Sequence, residues 1–507
     1  MLLNGVVPPP DRSPRTLAAG RLGTAAVVFL ALAATAPLTV LTTVVPAAYA
    51  RGDAPLVPLA FVAVALILLL FGVGYAAMAR RAPIAGALYA FIARGLGRPA
   101  GVGAAWLALL SYQALQISLY AAAGARLTGL PWWAAVGGCW AVVAVAGLIR
   151  VEITAGLVGL VVIAEAAVIT GFALADVLEP AGGRIGPDTI RPAALDRPVI
   201  GVLLVVAALA FTGFETTGAY SEETMRARRS VGRATTITIV LAMLIMAVTS
   251  WAMIVAGGPG LLFDQAAARL APWAVVLGRV LLVTGLVAAQ TALHQTLTRY
   301  LFALGREQIL PRGLGRTSGR TSVPWIASLT QSLLALIVLA ACLWAGVRPD
   351  ARLAVAGGLG ILVLLTATAL SALLFLNRSP GDENVWRRLV APGLATVCLG
   401  TIAYLAYANL PTLIGTALPR WSLPVAFGAA VLLGMAYGMA LRLTGPVVYA
   451  GIGLGGTAVV VAPKIPAQRS RPGAHRPERV KPDPTRDPMP SPRPDQPPTH
   501  PLTPPAG

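Results

Sequence analysis

Of 507 residues, 57% are hydrophobic and only 12% charged, with a mean hydropathy of +0.75, a balance that a soluble globular chain of this length does not sustain. A net charge of +19 would suggest a nucleic-acid partner in a soluble protein, but here the arginines recur between apolar runs, as loops at a membrane surface do. Composition therefore excludes a soluble enzyme and a nucleic-acid-binding protein and reads as an all-α polytopic membrane protein.

Roughly 20 apolar residues span the bilayer core as a helix, and runs of that length recur along the chain. After a short N-terminal segment, 1–20, the first run covers about 24 to 49 and is too long, with no small-residue cleavage site, for a cleaved signal peptide. It is interrupted at Ala34, Thr35, Ala36, Pro37, Leu38 and Thr39, where proline removes an N–H and disfavours helix at the residue before it. Runs at about 56 to 79, 101 to 125, 131 to 149 and 153 to 175 follow. The third carries Tyr112, Gln113 and Gln116, polar groups that either line a solute path or bond helix to helix. The fifth carries Glu165, a carboxyl at membrane depth.

The sixth run, about 199 to 220, ends in Phe211, Thr212, Gly213, Phe214 and Glu215. An ionisable group there costs several kcal/mol, roughly, unless it faces a cavity or a partner, so it reads first as functional. The alternative is a structural carboxyl bonded to a neighbouring backbone carbonyl. Six further runs lie at about 235 to 256, 273 to 298, 325 to 346, 354 to 376, 390 to 410 and 422 to 441, which makes twelve expected spans. His294, on the eighth, is either a proton relay or a packing histidine. Cys139, Cys342 and Cys398 all fall inside apolar runs, so no disulfide framework or metal cluster is expected. The glycine-rich segment 445–462 is expected at the interface, because a thirteenth crossing would export a basic tail. Residues 463–507, about one-third proline, cannot bury a core and read as a disordered cytoplasmic tail of unknown partner.

With the N-terminus inside, loops on the cytoplasmic side hold 20 arginines and those outside hold 9, which places both termini in the cytoplasm of a cell whose inner membrane the apolar domain, 21–444, crosses. Arg226, Arg228, Arg229 and Arg233 are expected to pair with Glu222 and Glu223 on a cytoplasmic helix. The interruptions in the first and sixth runs fall five helices apart, the pattern of a transporter built from a five-plus-five inverted repeat, whose broken helices bare backbone groups for a solute at the midplane. Proline kinks and glycines are also common in ordinary membrane helices, and that alternative stands on spacing alone.

Three segments carry a resemblance. RRAPIAGALYAFIARGLGRPAG, Arg80 to Gly101, FTGFETTGAYSEETMRARRSVGRA, Phe211 to Ala234, and HQTLTRYLFALGREQILPRGLGR, His294 to Arg316, resemble in order the signatures of the amino acid-polyamine-organocation transporter superfamily, actinobacterial type. The resemblance runs from about 20 to 445, departing at Ala227 and Gly232, where prolines are usual, and at Ala34–Pro37, where glycines are usual. It implies a secondary permease without cofactor, in which N–H groups at Ala34–Thr39 hold a solute carboxylate and carbonyls around Phe211, Thr212 and Gly213 accept from an ammonium group. Phe211 or Phe214 would close over the solute. Glu215, and second Glu165, are the expected proton-coupling groups, because a buried carboxyl that gains or loses a proton couples charge to conformation. Proton symport of an amino acid or related amine is the expected activity, with exchange or amino acid sensing as the rivals; no Gly-rich phosphate loop followed by Lys points to an ATP-driven pump.

Overall fold

The computed structural model describes residues 16–455 except 53, 82–85, 193–194, 196, 259–261 and 416–418. The tail 463–507, residues 456–462 of the glycine-rich segment and most of the N-terminal segment lie outside the described residues. The described chain is helical throughout, with one isolated backbone bridge, Leu22 to Thr224, in place of any sheet.

In chain order the α-helices of six or more residues are α1 (Thr24–Thr35), α2 (Leu56–Arg81), α3 (Ala87–Gly95), α4 (Arg98–Arg126), α5 (Trp132–Ala146), α6 (Val151–Leu178), α7 (Arg197–Ala210), α8 (Ala227–Val255), α9 (Leu262–Arg269), α10 (Pro272–Arg306), α11 (Trp325–Trp344), α12 (Ala351–Arg378), α13 (Ala391–Ala408), α14 (Ser422–Thr444) and α15 (Pro446–Gly451). Among the described residues, 11 helical stretches are long and apolar enough to cross a membrane. Eleven of the twelve expected runs correspond to them. The fourth does not: α5 has 15 residues, about 22 Å at 1.5 Å per residue, against a core of about 30 Å.

Apolar side chains occupy both the interior and the outer faces, as a lipid solvent permits. Leu157, Leu160 and Ile163 of α6 are 59%, 66% and 54% exposed, and α14 leaves Leu432 and Leu433 bare, so the outward faces are as hydrophobic as the core. Inside, α2 lies along α8, and α4 runs between α12 and α14. Glycines permit the closest crossings: the Cα of Gly103 on α4 would lie 2.7 Å from a Cβ added to Gly434 of α14, the small-residue packing that membrane helices use. Around α1 stand α6, α8, α10 and the short helix Phe214–Tyr220, so the second interrupted stretch stands directly against the first.

Candidate functional site

The first interruption is a single residue wide. Ala36 takes the left-handed conformation, φ 47° and ψ 59°, rarely adopted by a residue with a Cβ. Pro37 then restarts the helix at the position where its missing N–H costs nothing, and helical turns Pro37–Thr39, a π turn Val40–Val44 and Val45–Tyr49 continue it. Among the described residues, neither Leu38 nor Thr39 donates its N–H to a backbone carbonyl; the first restored bond is Val40 N–H to Ala36 O at 3.0 Å. The restart is thus a helix N-terminus with free donors and the positive end of the dipole. Thr35 spends its hydroxyl on Leu32 O at 2.7 Å.

The second interruption is at Phe211–Gly213, between α7 and the 3-10 helix Phe214–Tyr220. Gly213 has φ 121°, and a Cβ placed there would sit 2.6 Å from the carbonyl carbon of Ala34 and 2.7 Å from Thr35 N. The two interruptions therefore meet backbone to backbone, through a residue that only glycine can be. Glu215 caps its own break: Oε2 accepts from Gly213 N–H at 2.9 Å, and Oε1 accepts from the Tyr112 hydroxyl at 3.0 Å. Its backbone carbonyl accepts from Tyr75 at 2.9 Å, and the residue is 1% exposed. Phe211 packs edge-on against Phe61 and Phe214 against Phe71, and the broken residues from Ala34 to Leu38 and Phe211 to Phe214 are all buried.

This arrangement is found in a chain with known kin. A family model described as amino acid permease matches residues 22–437. The chain belongs to the amino acid permease family, within the amino acid-polyamine-organocation superfamily. The permease is 27% identical over 448 residues to uncharacterized transporters of Mycobacterium bovis and Mycobacterium tuberculosis, covering 84% of this chain and 92% of each relative. In fold it is similar to a manganese transporter of Eremococcus coleocola, with TM-score 0.54, 14% identity and coverage of 83% and 94% of the two chains. It is likewise similar to a Na+-coupled sialic acid symporter, with TM-score 0.52, 13% identity and coverage of 78% and 93%. The permease is a multi-pass integral membrane protein and a transporter rather than an enzyme.

The other expected residues of the permease lie in separate settings. Glu165 is 5% exposed on α6, pressed against Gly285 of α10, where an added Cβ would fall 1.8 Å from Oε1. It has no hydrogen-bond or ion-pair partner among the described residues and shares no bond with the Glu215 set. Gln331 of α11 donates to Gln113 Oε1 at 2.6 Å and to Gln116 Oε1 at 2.9 Å, and Gln116 also reaches Tyr120 and the carbonyl of Gln290. Gln113 and Gln116 thus tie α4 to α10 and α11, while Tyr112 of the same helix faces Glu215. His294 bonds Ser328 Oγ at 3.0 Å and sits against Gly147, a third, distinct environment. Among the described residues, no group of three His, Cys, Asp or Glu side chains could hold a metal ion.

A further buried carboxylate, Asp176, lies two residues from the end of α6, 1% exposed and 3.6 Å from Arg269. Arg299, expected in a loop, is 1% exposed inside α10, which runs about two turns past the expected end of that span. Glu222 and Glu223, expected to pair with Arg226, Arg228, Arg229 and Arg233, instead meet α10: Glu222 pairs with Arg306 and Glu223 with Arg299 at 2.5 Å, against the Tyr220 ring, while those four arginines are exposed. Leu22 N–H donates to Glu223 O at 2.9 Å and Met225 N–H to Leu22 O at 2.8 Å, so the start of the first span is fastened to the loop that follows the second break. The sequence motif around Arg299 was visible, but its partner lies 76 residues away, beyond any local pattern.

Proposed function

We propose that this permease moves an amino acid or related amine across the cytoplasmic membrane by alternating access, with protons as the coupling ion and both termini in the cytoplasm. The observation that carries the reading is the meeting of Gly213 with the Ala34 and Thr35 backbone, because it brings the free donors of one broken helix and the interrupted carbonyl ladder of the other to one place. The N–H groups of Leu38 and Thr39, at the positive end of a restarted helix, are assigned to the solute carboxylate. Carbonyls at Phe211, Thr212 and Gly213 are assigned to the ammonium group, with Ala34–Pro37 forming the opposite wall and Phe211 and Phe214 the apolar cover. Twelve crossings, with α5 as the short one, and a five-plus-five inverted repeat complete the proposal.

Glu215 is assigned the coupling proton. Ionised, its carboxylate accepts from both Gly213 and Tyr112; protonated, it surrenders one of those bonds and loosens the cap on the second break. Glu165, partnerless among the described residues on α6, is the second candidate, and Tyr112 is assigned to the polar path, whereas Gln113, Gln116 and His294 are assigned to joining helices beside it. Exchange is the alternative reading, favoured by the two hydrogen bonds that already satisfy the Glu215 carboxylate: a carboxylate that stays ionised as a cap would support substrate swapping without net proton flow. Proteoliposomes holding wild type or Glu215→Gln, offered radiolabelled amino acids and amines with and without an imposed pH gradient, separate the two. Gradient-driven accumulation lost in the variant, with counterflow kept, supports symport; counterflow alone in both proteins establishes exchange.

A further inference from the structure

The carboxylate that closes the second break is not isolated. Tyr112, whose hydroxyl donates to Glu215, lies ring to ring with Tyr300 of α10 at 5.7 Å, and Tyr300 with Tyr89 of α3 at 5.9 Å. Tyr112, Tyr300 and Tyr89 are 1%, 2% and 0% exposed. At the far end the Tyr89 hydroxyl is buried beside the Glu307 carboxylate without a hydrogen bond of ordinary geometry to it, a pair that a small rotation or one water joins. Burial first, and the Glu307 carboxylate second, hold that phenol well above its ordinary pKa. Glu307, the residue after α10, is 4% exposed. It accepts from the N–H groups of Gly453 at 3.0 Å and Gly455 at 2.8 Å. Arg94 donates to Gly453 O at 3.0 Å and Arg98 to Ala450 O at 3.2 Å, so the turn after α15 is laid over this carboxylate and fixed there.

We propose that Glu215, Tyr112, Tyr300, Tyr89 and Glu307 form a proton route from the central site to the turn at Gly453–Gly455, with Glu307 as its terminal proton acceptor. The proposal rests on the proton-coupling reading of Glu215. Along the route each hydroxyl takes up one proton and releases its own, so Glu215 ends ionised, Glu307 ends protonated and no phenolate is left behind. Hops between neighbouring rings proceed by hydroxyl rotation or through one water. The groups facing Glu307 are Arg306, itself paired with Glu222, together with Arg94, Tyr89 and the two glycine amides. Those facing Glu215 are Tyr112, Tyr300 and Tyr75, the last also donating to its backbone carbonyl. Burial raises the Glu307 pKa against the opposing pull of the two amides and Arg306, which suits a group that must hold a proton before releasing it to water.

The test needs no transported solute. In the full-length protein reconstituted in bilayers, the carboxyl stretching band that disappears in Glu215→Gln is followed by time-resolved infrared spectroscopy after a pH jump. Tyr300→Phe and Tyr89→Phe are expected to slow its protonation by about a hundredfold, the contribution of a positioned proton-transfer group, whereas Tyr404→Phe, which removes a hydroxyl from the exposed face of α13, leaves the rate unchanged. Wild-type rates in both Tyr300→Phe and Tyr89→Phe, or equal slowing in Tyr404→Phe, would overturn the route while leaving Glu215 as a coupling group. Absence of any titrating band assignable to Glu215 would remove the coupling reading and the route together.

Discussion

A methyl group on Gly213 would have nowhere to go, because the atoms 2.6 to 2.7 Å from it are the Ala34 and Thr35 backbone and φ is 121°. Gly213→Ala is therefore expected to cost about 1–3 kcal/mol from the backbone conformation alone, and to abolish uptake by parting the two interruptions. Thermal unfolding in detergent alongside proteoliposome uptake measures both; a variant as stable and as active as wild type would refute the packing argument. Glu307 gives a pH-dependent expectation. Burial is the leading cause raising its pKa, so the folded state favours the protonated acid: its stabilising contribution is full below the ordinary glutamate range and is lost as pH rises through the raised value. Stability of the wild type should accordingly fall with rising pH across that interval, and Glu307→Gln should flatten the slope; an identical pH profile in the two proteins would contradict the assignment.

At the scale of elements, the start of the first span, the loop after the second break and α10 are bound by the buried Glu223–Arg299 pair and the Leu22 bridge. Removing one member of such a pair strands a buried charge, at a cost of roughly 3–5 kcal/mol, so Arg299→Ala is expected to lower thermal stability sharply, whereas Glu223→Gln combined with Arg299→Met should recover much of it. If the double variant were as unstable as the single, the pair would not be acting through charge. Sequence alone located both interruptions because the signals are local: Pro37 inside one apolar run, and Gly213 with Glu215 at the end of another. It did not show that the left-handed residue is Ala36, since alanine carries no turn preference, nor that the break spans one residue rather than six. The pairings of Glu223 with Arg299, Tyr112 with Glu215 and Glu307 with the Gly453 turn join positions 76, 103 and 146 apart, and helical periodicity says nothing about them. Counting arginines between runs misplaced Arg299 for a related reason: α10 continues beyond its apolar stretch, and a buried partner is what keeps the charge inside.

For the whole molecule, the Glu223–Arg299 pair fastens the described helices near the start of the first span, and Tyr49, whose hydroxyl donates to Ser250 O, and Arg269, bonded to Ala256 O at 2.7 Å, fasten them beyond its end. Under the proposed alternating access these are the contacts that open in turn, which buried pairs of this kind make discrete rather than gradual. The segment Pro446–Gly451 and the turn behind it belong to the transporter through Glu307, Arg94 and Arg98, so truncation before 446 is expected to abolish uptake, while removal of 463–507 leaves it intact; loss of transport on removing only 463–507 would show that the tail has a part in the cycle. The most direct test of the central claim is uptake of radiolabelled amino acids and amines into proteoliposomes under an imposed pH gradient, comparing wild type with Gly213→Ala and Glu215→Gln. Wild type is expected to accumulate solute, Gly213→Ala to accumulate none and Glu215→Gln to show gradient-independent counterflow only. Equal accumulation by all three would contradict that claim.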